Sequence, residues 1–208
     1  MTGSQEVLKK IRKNSLALII TGGICTAVSL FLAVSGITSI EPDAMGMTIT
    51  GVILMFISVT LLYFGARDYR DPSKSSAYKK NPDILAMADE LAGDIRYEDK
   101  FVYMSGRIIA NKRNVTQMAY LDEVYCIYIY KYSVNFIPAT KDLLLQTARG
   151  EIHLSVFWQK KAAIDRLARM ILNAAPNARA GYTPDNMKYV AYMKNEWKKR
   201  RLGGYTEE

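Results

Sequence analysis

Along the first third of the chain the apolar positions do not alternate with polar ones; they run together. No Asp, Glu, Lys, Arg or His stands between Lys13 and Glu41, or again between Asp43 and Arg67. Ser15–Ile37 (SLALIITGGICTAVSLFLAVSGI) and Met45–Ala66 (MGMTITGVILMFISVTLLYFGA) each suffice, at ~1.5 Å of rise per residue, to cross a hydrocarbon core of about 30 Å. The pattern predicts transmembrane helices over 15–37 and 45–66, joined by an extracytoplasmic turn at 38–44 that holds Pro42. A signal peptide is the competing reading of the first run. Lys9, Lys10, Arg12 and Lys13 would be its basic region and Ala33-Val34-Ser35 its small-x-small cleavage site. Signal cores are shorter, roughly 7–15 residues, and here a second apolar run follows at once, which favours two spans.

Past Arg67 the pattern changes twice. Residues 67–81 are polar, basic and serine-rich, the composition of a linker. Asn81-Pro82-Asp83 carries a cap, a first-turn proline and an acid, and Ile84, Ala88 and Leu91 recur at helical spacing, so a helix is predicted over about 82–92. From Asp94 the period becomes two. Phe101 and Tyr103, Ile108 and Ile109, and VTQMAY read as short strands, with turns at Ser105-Gly106 and Asn111–Asn114. VYCIYIYKYSV (124–134) is apolar or aromatic on both faces at one end, the mark of a central or well-covered strand, and LLLQTA with EIHLSVF forms a last hairpin about Arg149-Gly150. Two helices close the chain. In the first, Ile164, Leu167, Ala168, Ile171 and Ala175 make one stripe before Pro176; the second opens at Thr183-Pro184-Asp185. Residues 82–208 are thus predicted to form an α+β domain with an antiparallel sheet of about six strands and C-terminal amphipathic helices.

Charge adds direction to this layout. The net charge is +8, and basic residues flank both apolar runs while the turn between them holds only Glu41 and Asp43. Positive residues are retained on the cytoplasmic side. Residues 1–14 and everything after Ala66 are therefore expected in the cytoplasm of a multi-pass plasma-membrane protein. Neither run contains an Asp, Glu, Lys, Arg or His, which argues against transport chemistry inside the membrane. Gly23, Ala27, Ser29 and Ala33 are candidates for close helix approach, within the hairpin or between copies.

The meander of short strands, the late strand–turn–strand LLLQTARGEIHLSVF and the sealing helix QKKAAIDRLARMIL resemble the bacterial pleckstrin-homology-like domains found attached to one or two membrane helices. The resemblance covers residues 94–175 and rests on pattern. It implies a PH-like sheet, and it departs from the family in strand number (six against seven) and in lacking a Trp within the closing helix. The basic signature that phosphoinositide-binding members carry about their first hairpin is not evident between Lys100 and Arg107, so inositide specificity is not carried over.

Candidate chemistry is sparse. One histidine and two distant cysteines, Cys25 and Cys126, leave a metal centre almost no ligands and form no disulfide framework, so no metal and no cofactor is expected. His153 and Asp142 are the default candidates should the chain be an enzyme, but no motif surrounds them, and His153 reads as a solvent-facing strand residue. Tyr125, Tyr128, Tyr130 and Tyr132 could stack on bases, yet only Lys131 is interleaved, and packing is the simpler account. Cys126 reads as a small buried hydrophobe, and Glu98-Asp99 and Asp122-Glu123 as solvated loop charges. No phosphate loop or dinucleotide fingerprint occurs, and the positive charge is too dispersed for nucleic-acid binding. The most concentrated basic run, Lys198, Lys199, Arg200 and Arg201, complements a helix C-terminus. With Lys74, Lys79 and Lys80 it is also the candidate contact to anionic lipid. The expectation is a membrane-anchored, non-catalytic interaction or scaffold module, partnered by the bilayer and by another protein or a second copy. No small-molecule substrate is identified. The alternatives are an anionic-lipid sensor using the C-terminal run, or a membrane-bound enzyme without a recognisable motif.

Overall fold

A computed structural model describes residues 3–38, 44–134 and 137–203. The chain divides into two units, residues 8–82 on the one hand and the N-terminal residues through Val7 with 83–203 on the other.

The first unit is built on two helices, α1 (Ser4–Thr38, whose first turn belongs to the second unit) and α2 (Ala44–Arg70). Both are long and apolar enough to cross a membrane, and only 17% of each apolar window is buried by the protein itself, unlike the core helix of a soluble domain. The expected turn lies at residues 39–43, outside the described residues. Along α1 a small residue recurs at every seventh position, Ser15, Gly22, Ser29 and Gly36, and α2 repeats the device at Gly51, Ser58 and Gly65; all seven are buried. A Cβ on Gly51 would stand 2.6 Å from the Ala33 nitrogen and 2.8 Å from the Ser29 oxygen, so the helices touch backbone to backbone there. The hydroxyls bond within their own helices, Ser29 Oγ donating to the Thr26 carbonyl at 2.9 Å and Ser58 Oγ to the Met55 carbonyl at 2.9 Å, which satisfies them without water. Of the four small residues, Ser29 and Ala33 are at the contact within the pair, whereas Gly23 and Ala27 point away from it, and nothing lies within 4 Å of a Cβ on Gly23. Past Arg70 the basic stretch contains a 3-10 turn (Pro72–Lys74) and helix α3 (Ser76–Lys80), capped by the Ser75 hydroxyl accepting from Tyr78 N–H.

The second unit opens with α4 (Ile84–Gly93), whose N-cap is Asp83; the assignment of Asn81 as its cap is corrected, because Asn81 ends α3. Next come β1 (Tyr97–Glu98), β2 (Val102–Met104), β3 (Ile108–Asn111) and β4 (Met118–Tyr120), an antiparallel sheet in that order. The predicted turns hold. Ser105 Oγ accepts from Arg107 and Ile108 N–H, and Asn111 Oδ1 from Arg113 and Asn114 N–H. After a 3-10 turn at Leu121–Glu123 come β5 (Val124–Val134), β6 (Ile137–Thr147), β7 (Gly150–Ser155), α5 (Lys161–Ala174), β8 (Arg179–Ala180) and α6 (Pro184–Gly203). The second sheet has the order β7-β6-β5-β8, with β8 parallel to β5.

Among the described residues eight strands replace the six expected. The two extra ones, β1 and β8, are two residues long and owe their ladders to neighbours, having no alternation of their own to read. One face of the second sheet (Ile127, Leu143, Leu145, Ile152, Leu154) packs with residues of the first sheet (Val102, Ile109, Ala119) and with Ile164, Leu167 and Ile171 of α5. Its other face, through Tyr125, Cys126 and Ala148, receives Val190, Met193 and Trp197 of α6.

Candidate functional site

Strand β5 is where the sequence expectation and the structure part most. Its covered half ends at Tyr128. Up to there Val124, Tyr125, Cys126 and Ile127 are buried; from there Ile129, Tyr130 and Tyr132 are 40%, 41% and 51% exposed. The reason is topological. On one side of the ribbon, β7 pairs with β6 only over Asp142–Thr147; on the other, β8 pairs with β5 only at Cys126 and Ile127. The β5 edge is open beyond Ile127, and past Asp142 the β5–β6 ladder continues alone from Lys131↔Lys141 to Val134↔Ile137, so among the described residues a two-stranded ribbon runs past both neighbours. Unpaired edges with apolar side chains are the usual places for another surface to attach. At the root of the ribbon the chain leaves β7, Val156 N–H donates to the Lys141 carbonyl at 2.8 Å, and Trp158 stands 88% exposed, edge-on to Phe157 at 5.0 Å. Tyr182, 68% exposed, leans on Tyr128 at 5.0 Å on the other margin.

The default catalytic candidates do meet. His153 Nδ1 lies 3.3 Å from Asp142 Oδ2, and its Nε2 lies 3.2 Å from Glu151 Oε2. Both ring nitrogens are thus occupied by carboxylates, and neither is left to activate a hydroxyl or thiol. Gln146 extends the ladder, donating to Tyr128 Oη and Glu151 while accepting from Lys194 Nζ at 2.8 Å. Burial holds the Lys194 ammonium below the usual lysine range. Among the described residues no group of three metal-ligating side chains exists. Cys126 is buried beside α6 with its thiol donating to the Gly181 carbonyl at 3.4 Å, and burial pushes its pKa up, the setting of an unreactive thiol.

Glu123 is not a solvated loop charge, and that expectation is corrected. Its carboxylate takes Arg149 Nε at 2.6 Å and Nη2 at 3.0 Å, and also Trp197 Nε1–H at 3.1 Å. Arg149 reaches Asp83 at 3.0 Å as well and lies between the rings of Tyr120 and Trp197. This knot ties the start of α4, the β6–β7 turn and α6 together; no local motif announces it. The adjoining cleft, about 140 Å³, is lined by Asp122, Glu123, Tyr125, Trp197 and Arg200. It is smaller than the roughly 300–1,000 Å³ of ordinary ligand pockets.

The candidate lipid-contact cations are placed as follows. Lys198, Lys199, Arg200 and Arg201 are all exposed, but four successive helical positions point in every direction. Lys199 pairs with Glu196 at 2.9 Å, Arg200 lines the cleft, and Arg201 sits 5.2 Å from the Trp197 ring centroid. In the other unit, Lys74 lies 3.4 Å from Asp71, and Lys79 and Lys80 are exposed in the last turn of α3. No family model, curated protein or solved structure matches the chain.

Proposed function

We propose that this chain is a membrane-anchored, non-catalytic interaction or scaffold module of a bacterial plasma membrane. The anchor is a two-span hairpin with both flanks in the cytoplasm, and the second unit is the cytoplasmic binding body. The basic flanks and acidic turn support this orientation through the positive-inside bias. A pleckstrin-homology-like arrangement for the body is supported by β1–β7, seven strands in two antiparallel layers followed at once by the amphipathic α5.

The observation that carries the reading is the β5–β6 ribbon. A unit whose core is already closed by α5 and α6 still extends a ladder beyond its neighbours and exposes Ile129, Tyr130 and Tyr132 along it, with Trp158 at its root. Aromatic side chains displayed in this way supply contact area at low entropic cost. The test is a photo-reactive residue placed at Tyr130 or Tyr132 in the full chain, irradiated in host membranes, with exposed Arg169 on α5 as the control position. The reading predicts a discrete adduct from the ribbon and none from position 169. Equal, diffuse labelling from all three positions would contradict it.

A further inference from the structure

The ribbon carries charge in an arrangement that the chain itself does not neutralise. Lys131 and Lys141 are directly opposed across the β5–β6 ladder, on the same face as the exposed Ile129. Like charges in register on adjacent strands repel and destabilise the pair. Just past the end of β7, Lys160 is the N-cap of α5 and Lys161 its first residue, with no acid in the first turn. Cations there oppose the positive end of the helix dipole. The two segments are stitched together by the Val156–Lys141 backbone bond, and Trp158 lies in the stretch of chain that leads from it to Lys160. Among the described residues none of these four lysines forms an ion pair; the one acid beside them on the ladder, Asp142, is engaged by His153 on the opposite face of the sheet. Two separate electrostatic penalties therefore converge on one end of the sheet, and a single external anion array would relieve both.

From this we infer that the end of the sheet formed by Ile129, Lys131, Lys141, Trp158, Lys160 and Lys161 docks on the anionic phospholipid surface of the bilayer in which the chain's own helices are held. This rests on the ribbon being the contact surface, and it names the partner. The composition fits a headgroup layer: lysines whose long stems reach phosphates, an aliphatic side chain, and an indole of the kind that settles at membrane–water interfaces. A tethered unit meets that surface at high effective concentration, so modest contacts suffice. An acidic protein would satisfy the lysines equally, but it would not by itself call for an 88% exposed indole in the segment that joins them.

The test uses the full chain in lipid nanodiscs, either pure phosphatidylcholine or an equal mixture with phosphatidylglycerol, each doped with headgroup-proximal spin-labelled lipid. The sequence has two tryptophans, so subtracting the emission of the Trp158→Phe chain isolates Trp158. The inference predicts that Trp158 is quenched in the phosphatidylglycerol discs and much less in the neutral ones. The double variant Lys131→Gln, Lys141→Gln should lower the docked-to-undocked ratio about thirtyfold. Equal quenching in both disc types, or no effect of the double variant, would overturn the electrostatic docking. Absence of quenching with ribbon photo-adducts going to a protein would overturn the lipid partner and leave the interaction module standing. Absence of both would remove the two together.

Discussion

The hairpin and the compact unit are packed by opposite rules. In the hairpin the small residues are inside, with Gly51, Ser58 and Gly65 against α1, while Phe31 and Phe56 are 69% and 73% exposed. In the compact unit Ile108, Leu145 and Ile171 are at 0% exposure and the outer faces are charged. Water drives large apolar side chains inward and sustains the second arrangement. Lipid gives no such drive, so helices associate where backbones can approach, and large side chains are left to the solvent they resemble. The ribbon end breaks the rule of its own unit by exposing apolar residues where water would bury them, and the proposed contact surface rests on that exception.

Breaking the compact side should cost most. Arg149→Ala leaves Glu123, whose side chain is 12% exposed, without its cation. Loss of one partner of a buried pair costs about 3–5 kcal/mol, so thermal unfolding followed through Trp197 emission should shift down sharply. A change to the exposed partner Asp83 should matter far less.

Alkaline pH probes the same unit. Burial pushes the Tyr125 hydroxyl up to about 12 from its ordinary 10. The unfolded phenol ionises first, so the stabilisation is complete below pH 10 and is lost as pH rises through 10 to 12. With ~1.4 kcal/mol per unit, the loss is at most about 2–3 kcal/mol. Denaturant midpoints measured across that window should fall, and Tyr125→Phe should flatten the fall. Burial raises Tyr97, Tyr103, Tyr120 and Tyr128 too, so some slope will persist.

In the hairpin, position decides the outcome of one and the same change. Gly51→Leu drives a side chain into the Ala33 and Ser29 backbone and should cost about 1–3 kcal/mol through overpacking. Gly23→Leu, facing open space, should be near neutral. Resistance to unfolding in mild detergent separates the two. The smallest effect belongs to a cap. Thr183 Oγ1 accepts from Asn186 N–H at 3.2 Å at the start of α6, and Thr183→Ala should cost about 1 kcal/mol and increase amide exchange in that first turn.

What could be read in the sequence was what is local. Caps such as Thr183-Pro184, the Asn111 turn and the α5 stripe of Ile164, Leu167 and Ile171 each sit within a few residues and follow from backbone chemistry. The small-residue heptad was also present, but Gly22 and Gly23 are adjacent, and only the partner helix sets which of them faces inward. Glu123 is buried because of Arg149, 26 residues on, and no pattern links them. The ribbon was legible only in part: β5 is apolar or aromatic on both faces at one end, but where its cover stops is set by β7 and β8, which end short of it. The opposed lysines became visible only once the register placed Lys131 across from Lys141.

The central claim, a hairpin anchor with its binding body on the cytoplasmic face, is tested most directly by where single cysteines can be reached. In a chain with Cys25 and Cys126 replaced by serine, cysteines are introduced one at a time at Ser4, Asp43 and Ser73 and exposed to a membrane-impermeant maleimide in intact cells. The account predicts labelling at position 43 alone, with positions 4 and 73 labelled only after permeabilisation. Labelling at position 73 in intact cells would put the binding body outside the cytoplasm and contradict it.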